Sequence, residues 1–223
     1  MYEKYFNHEP QAEMQNFFID KIAPLGYIKK YKKNDQIDSY DASTLSIVIA
    51  GKVKICIFTK NGLEKTLFFL EPGEIYGEES LFYPHVPITP IPLENTTISF
   101  ISNDIVKDYL FKNPNDYKYF FQSIVRKYEI SLFQMNDVLK RSPKAQICST
   151  LYRMAVQNNK PSNTVNSHIT IYLTHELLAS IVGCSRVTVT RVLRELKNEN
   201  IIDTSNRQIV ILNFTSLKKY ADL

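Results

Sequence analysis

The chain has little of what most catalytic or metal-binding proteins rely on: 3 cysteines and 4 histidines in 223 residues. Cys56, Cys148 and Cys184 stand far apart and form no metal or cluster spacing, and an odd count in a reducing compartment needs no disulfide. Cys148 falls on a helical face with Ala145, Leu151, Tyr152 and Ala155, Cys184 takes a turn position that packs inward, and Cys56 lies in a strand whose faces the pattern does not orient. His8, His85, His168 and His175 include no His-x-His pair, which removes the usual ligand set of a strand-built metalloenzyme. Long hydrophobic runs are also missing. Nothing approaches the roughly 18–20 apolar residues of a membrane span, and Met-Tyr-Glu-Lys-Tyr-Phe-Asn-His lacks a signal-peptide pattern. A cytoplasmic chain without a membrane partner is expected.

What is present is apolar residue enough, 44% of the chain, for two domains with separate cores. The net charge of +4 is unevenly placed. Residues 140–223 hold 12 Lys and Arg against 5 Asp and Glu, whereas residues 1–139 hold 15 against 18. The cationic part is therefore C-terminal, where phosphate binding would need it.

Residues 174–196 carry the most information. Leu177, Leu178, Ile181 and Val182 recur at helical spacing, and Thr174 ahead of them has the hydroxyl that an N-cap needs. The spacing predicts a first helix over about residues 175–182. Gly183 stands where the chain must turn, a position that favours positive φ. Ala179, four residues earlier, is small enough for a second helix to cross closely. Ser185 caps that helix, and Val189, Val192, Leu193 and Leu196 follow the i, i+3, i+4, i+7 pattern of an inward face.

Arg186, Thr188, Thr190, Arg191 and Arg194 are left outside. Burial and helix propensity do not ask for guanidinium groups gathered there, but DNA does. A recognition helix enters the major groove with its first turns leading, and an arginine fork on guanine O6 and N7 discriminates by about 1–3 kcal/mol. An ordinary helical hairpin with a charged face is the alternative. Downstream, Ile201-Ile202, the polar stretch Asp203 to Arg207, and Ile209 to Leu212 predict a β-hairpin. Such a wing would bring Arg207, near its tip, to a phosphate.

The N-terminal part changes period. Met14, Phe17, Phe18, Ile22 and Leu25 suit one amphipathic helix; after about residue 26 short β-type runs follow. Leu45 to Gly51 leads into Lys52 to Phe58, Asn61-Gly62 marks a hairpin, Thr66 to Leu70 returns, and Pro72-Gly73 turns again. Ile75 to Gly77 and Thr96 to Ile101 continue a small barrel or roll. Lysines 29, 30, 32 and 33, interleaved with Ile28 and Tyr31, read as a solvated strand face.

A long helix is predicted from about Asp116 to Lys140. Phe121, Val125, Tyr128, Leu132, Met135 and Leu139 step by 4, 3, 4, 3 and 4, the seam of a parallel homodimer, with packing against the roll alone as the alternative. Phe120, Ile124 and Phe133 widen the stripe, so that both could hold together. A two-fold axis suits a reader of two half-sites about 34 Å apart. Lys140-Arg141-Ser142-Pro143 then breaks the helix and is the candidate hinge.

This order of parts, together with Pro72-Gly-Glu-Ile-Tyr-Gly77-Glu-Glu-Ser-Leu-Phe82 and Ile181-Val-Gly-Cys-Ser-Arg-Val-Thr-Val-Thr-Arg-Val-Leu193, resembles the Crp/Fnr superfamily of bacterial transcription regulators. The resemblance implies DNA contacts at Ser185, Arg186 and Arg191. Between them the family usually has a glutamate that accepts from cytosine N4; here Val187 can only meet a thymine methyl. It also implies an effector pocket at Gly77, Glu78, Glu79 and Ser80, Glu78 matching the glutamate that binds a ribose hydroxyl. The arginine that pairs with a cyclic phosphate falls at Ile88, followed by Thr89. An apolar Ile88 leaves a buried phosphate without its countercharge, which costs several kcal/mol. The run Pro84, Pro87, Pro90 and Pro92 suggests a reshaped loop, so an effector other than cyclic AMP is expected. Tyr76, Phe82, Tyr83, Phe69 and Tyr128 are available to line a pocket for it; otherwise they are plain core and there is no effector. His85 could be a haem ligand, as in the carbon-monoxide-sensing branch, or a solvated loop residue.

The expected fold class is α+β: an N-terminal antiparallel β-roll of cyclic-nucleotide-binding type (1–115), a dimerisation helix with hinge (116–141) and a C-terminal winged helix-turn-helix (142–223). The expected function is a homodimeric regulator binding a double-stranded DNA operator, meeting RNA polymerase, with no cofactor, metal or catalysis. Its DNA-binding set is Ser185, Arg186, Val187, Thr188, Thr190, Arg191 and Arg207. An effector-independent regulator, or a cupin-like metalloenzyme on the roll, are the alternatives.

Overall fold

A computed structural model describes residues 8–37, 43–83, 88–140, 142–158, 169–205 and 208–221. The chain divides into two compact units, Glu9–Ile130 and one that includes Ser131–Leu223.

In the first unit, helix α1 (His8–Phe17) runs into a π turn (Phe18–Ile22) and a 3-10 turn (Ala23–Leu25). The single helix expected here is thus cut short. Pro24 has no N–H for an α-helical bond but is tolerated in the first turn of a short 3-10 helix. Strands follow: β1 (Tyr27–Tyr31), β2 (Thr44–Ala50), β3 (Val53–Phe58), β4 (Glu64–Leu70), β5 (Ile75–Tyr76), β6 (Thr89–Pro92) and β7 (Thr96–Ser102). They form an antiparallel sheet in the order β1-β7-β2-β5 and a second in the order β4-β3-β6.

The period-2 alternation of these strands sorts two cores. Leu45, Ile47, Ile75 and Ile101 face a helical layer with Met14, Phe18, Ile22 and Phe120. Their neighbours Val48, Tyr76, Ile98 and Phe100 face the roll interior with Val53, Ile55 and Leu70. Strand β2 is covered on both faces, which explains why its apolar run does not alternate. At the edge, β1 exposes Lys29 and Lys30 as expected, but Ile28 is exposed too. Of the proline run expected to form a reshaped loop, Pro84 and Pro87 lie outside the described residues, and the other two stand in a strand. Pro90 and Pro92 pair with Ile55 and Val53 from β6, an edge strand where a missing N–H is tolerated.

Helix α2 (Asn103–Lys112) leads through a 3-10 turn (Pro114–Asp116) to α3 (Tyr117–Val138). Phe120 is buried, meeting Phe18 edge to face at 5.1 Å. Ile124 is exposed and Phe133 half-buried.

The second unit holds α4 (Pro143–Asn158), β8 (Ile169–Tyr172), α5 (His175–Val182), α6 (Arg186–Asn198), β9 (Ile202–Ser205), β10 (Gln208–Ile211) and α7 (Phe214–Tyr220). Its sheet runs β8-β10-β9. Strand β8 has no counterpart in the sequence reading, and β9 extends through residues assigned there to a polar tip. Asp203 is a poor strand former, and the segment Asp203 to Ser205 is held extended by pairing with Val210, Ile209 and Gln208. Ile147, Cys148, Leu151 and Tyr152 of α4 are buried, and Tyr152 packs on Phe214 with ring centroids 4.5 Å apart.

Candidate functional site

Helices α5 and α6 are built by two caps and one glycine. Thr174 Oγ1 accepts from the Leu177 N–H at 3.1 Å, and Ser185 Oγ accepts from the Thr188 N–H at 3.1 Å. Between them Gly183 has φ +84°, and its N–H donates to the Ala179 carbonyl at 2.8 Å. A Cβ there would touch nothing within 4 Å, so the backbone alone selects glycine. Val189, Val192, Leu193 and Leu196 are buried.

That burial turns the other face outward. Ser185, Arg186, Val187, Arg191 and Arg194 are exposed, while Thr188 and Thr190 are half-buried. Val187 is 79% exposed, an aliphatic side chain held in water on the first turn of a helix. Thr188 Oγ1 lies 2.9 Å from Ser185 Oγ, so these hydroxyls share a bond at the helix start. Thr190 uses its hydroxyl internally: it donates to the Arg186 carbonyl at 3.0 Å and lies 2.9 Å from His175 Nδ1. Arg207 lies outside the described residues, as do Arg141 of the hinge and His85. Lys140, at the start of the hinge, donates to the Ala221 carbonyl at 2.6 Å.

In the roll, the cassette begins with Gly77 in the left-handed region at φ +85° and continues as a 3-10 turn, Glu78–Leu81. Ser80 donates to the Gly77 carbonyl at 2.6 Å, and Asn103 Nδ2 donates to the Ser80 carbonyl at 2.9 Å. Glu78 is buried and takes a hydrogen bond from the Lys127 ammonium, which also donates to the Ile75 carbonyl at 2.7 Å. Arg126 holds Glu74 at 2.7 Å, and the second Glu74 oxygen accepts from the Glu71 N–H at 2.8 Å. Burial pushes the Glu74 carboxyl up from the ordinary range, against the pull of Arg126. Glu79 and Ser80 are half-buried and Thr89 is exposed. Ile88, like Phe68, packs against the roll's apolar interior.

The five aromatic residues available to line a pocket differ in burial. Tyr76 is in the core, Phe69 is half-buried beneath the Lys52 ammonium, and Phe82, Tyr83 and Tyr128 are 69%, 77% and 61% exposed. The reason is the pleat: Phe69 and its neighbour Leu70 point to opposite faces, and Leu70 takes the inner one. Lys127, Arg126 and Glu74 were not singled out in the sequence. Their signal was two adjacent cations inside an apolar helical stripe.

On α3 the heptad positions are exposed, as are Ile124 and Val138. Phe121, Val125, Tyr128, Leu132 and Met135 are 63%, 51%, 61%, 43% and 67% exposed, and Leu139 just beyond is 81% exposed. Among the described residues no three His, Cys, Asp or Glu side chains gather as a metal site, and no helix is long and apolar enough to cross a membrane.

An antiparallel roll with a Gly77-Glu78 turn, a long helix and a winged helix-turn-helix define the architecture of a two-domain DNA-binding regulator. Comparison with known proteins agrees. Residues 28–113 match the cyclic nucleotide-binding domain and residues 145–220 the Crp-like helix-turn-helix domain. The chain is 27% identical to the cAMP-activated global transcriptional regulator CRP of Haemophilus influenzae, over 77% of this chain and 76% of that one. Among solved structures, a CooA double mutant from Carboxydothermus hydrogenoformans superposes with a TM-score of 0.75 at 19% identity, covering 90% and 89% of the two chains. The c-di-GMP responsive global regulator CLP of Xanthomonas campestris gives 0.73 at 18% identity, covering 90% and 98%. The chain belongs to the Crp/Fnr superfamily of DNA-binding transcription regulators.

Proposed function

We propose that this regulator is a homodimer that reads a two-fold operator with α6, and that cyclic AMP is not its signal. In this reading residues 1–115 sense, 116–141 dimerise and 142–223 bind DNA, in the cytoplasm, where promoters and RNA polymerase are met. The observation that carries it is the exposed stripe of Arg186, Val187, Arg191 and Arg194 on a helix whose opposite face is buried. Arg186 and Arg191 are the guanine readers, Val187 the thymine-methyl contact, and Ser185 with Thr188 the positioning hydroxyls. Thr190 and Arg207 complete the set, the first from within the helix pair and the second from the wing. Dimerisation is supported by the exposed side chains of the heptad set Phe121, Val125, Tyr128, Leu132 and Met135 on α3 and Leu139 just after it.

The effector assignment rests on Glu78 and Ile88. A ligand hydroxyl seeking Glu78 would meet a carboxylate whose Oε1 already holds the Lys127 ammonium, and a cyclic phosphate would meet an apolar Ile88. Relatives whose names carry cAMP and c-di-GMP support the idea that one roll can serve different signals. A second reading, operator binding without any effector, is favoured by the same Lys127 contact, because it neutralises the cassette carboxylate from within the chain.

The test is selection of bound DNA from a random pool by the full-length protein, with and without cell extract. The reading expects a palindromic site, bound more weakly by Arg191→Ala with a loss of about 1–3 kcal/mol at one base pair. Wild-type affinity and salt dependence in Arg191→Ala would sink it.

A further inference from the structure

Helix α3 carries a cation where its own pattern calls for an apolar residue. Phe120, Ser123 and Ile130 are buried and mark the stripe that α3 turns inward. Lys127 falls on the same stripe, four residues after Ser123 and three before Ile130. An ammonium so placed is tolerated only with a countercharge. It finds two acceptors: a Glu78 carboxylate oxygen in the cassette and the Ile75 carbonyl just before it, the latter at 2.7 Å. The other Glu78 oxygen has no hydrogen-bond partner among the described residues, so this one ammonium neutralises the carboxylate. One residue earlier, Arg126 holds the buried Glu74 at 2.7 Å. The backbone ahead of the cassette is closed from within as well: Gly73 donates to the Val48 carbonyl at 2.8 Å, and Val48 to the Glu74 carbonyl at 3.0 Å.

A ligand shifts an equilibrium only by its differential affinity for two states, and the charge attraction that Glu78 could contribute is already used by Lys127. We infer that the cassette is a primary-ammonium site whose resident ligand is the chain's own Lys127, and that this self-occupation keeps the regulator competent for its operator with no added effector. The inference rests on the operator-binding and dimer readings above and deepens the effector-independent one.

The link to DNA is the rotation of α3 about its own axis. Val125 and Tyr128, which flank the two cations, are exposed and belong to the apolar seam. With Arg126 and Lys127 fastened to Glu74 and Glu78, the helix is held against turning, and Val125 and Tyr128 stay outward, where a second copy needs them. Without the Lys127 tether the seam is presented for a smaller fraction of the time. The dimer that holds two half-sites is then weakened in proportion.

The test follows binding of labelled operator by fluorescence anisotropy, with full-length protein dialysed against buffer alone. Wild type is expected to bind at full strength, unchanged by cell extract or by n-propylammonium chloride. Lys127→Ala should bind about 5- to 150-fold more weakly, the range of ordinary coupling between sites. Millimolar n-propylammonium, which has the atoms that this substitution removes, should restore much of that loss. Tetramethylammonium at the same ionic strength should not, because it has no N–H to donate. Lys127→Met with Glu78→Gln strands no charge, so it should fold like wild type by circular dichroism, yet bind weakly and ignore propylammonium. Wild-type affinity in either variant, a Lys127→Ala loss that propylammonium leaves in place, or a wild type that binds only with extract would each overturn the inference. Failure of the operator reading looks different: wild type would then select no sequence from a random pool, with or without extract.

Discussion

Lys127 reaches from α3 to Glu78 at the turn after Gly77 and places its ammonium on both that carboxylate and the Ile75 carbonyl. The side chains are 14% and 9% exposed, so the pair is shielded from solvent. It closes the cassette with the chain's own cation.

Removing one partner of such a pair leaves the other charged and buried, at a cost of about 3–5 kcal/mol. Lys127→Met should lower the unfolding free energy of the roll by that order, read by urea denaturation with far-UV circular dichroism, since the chain has no tryptophan. The double variant Lys127→Met with Glu78→Gln should recover much of the loss, because no charge is then stranded. Equal stability of the single variant and wild type would mean that the pair contributes nothing to holding the cassette.

The neighbouring pair, Glu74 with Arg126, carries a pH signature. Burial raises the Glu74 carboxyl above its unfolded value, and Arg126 lowers it. Without the arginine the native state binds more protons than the unfolded chain between the ordinary carboxylate range and the raised one, so stability falls as pH rises through that window. Arg126→Met should therefore be weakest above the raised carboxyl range and regain stability as pH drops toward the ordinary carboxylate value of 4.5. Adding Glu74→Gln should flatten that dependence in the same unfolding measurement.

These two pairs also show what the sequence did and did not disclose. Caps, a left-handed glycine and an apolar stripe are local features, so Thr174, Gly183, Ser185 and the inward valines of α6 were legible from spacing alone. The Lys127–Glu78 and Arg126–Glu74 pairs join residues 49 and 52 positions apart, and no local period announces them. The same limit applies to β8, whose strand character comes from pairing with β10, and to β6, where edge position overrides the proline content. Thr190 was legible as an outward residue, but its hydroxyl partner on α5 was not.

Thiol chemistry separates the three cysteines. Burial pushes Cys56 up to about 11 and Cys148 up to about 12, whereas Cys184 is half-buried in the turn between α5 and α6. Thiolate is the reactive form, so iodoacetamide on native protein should label Cys184 first. Cys56 and Cys148 should react only after unfolding, as peptide mass spectrometry would show; rapid native labelling of Cys148 would contradict its burial.

The α3 seam predicts oligomeric behaviour. Tyr128→Glu or Leu132→Glu places a carboxylate among exposed apolar side chains that a partner helix would cover. Each should shift sedimentation at micromolar concentration from dimer toward monomer. Operator affinity should fall about 100-fold or more, because the second half-site is no longer held at high effective concentration. A wild-type protein that sediments as a monomer would remove the seam.

Val187 decides the letters. At 79% exposure it has no packing role in α6, so substitution should leave the fold unchanged and report on DNA alone. An isopropyl group in the major groove can contact a thymine methyl but cannot accept from cytosine N4; a glutamate does the reverse. Val187→Glu should move the preferred base at one position of each half-site from thymine to cytosine, with discrimination of about 1–3 kcal/mol, while the guanines assigned to Arg186 and Arg191 stay in place. Selection from a random pool with the two proteins in parallel gives the comparison. An unchanged half-site would place Val187 away from the groove and require α6 to dock in another register.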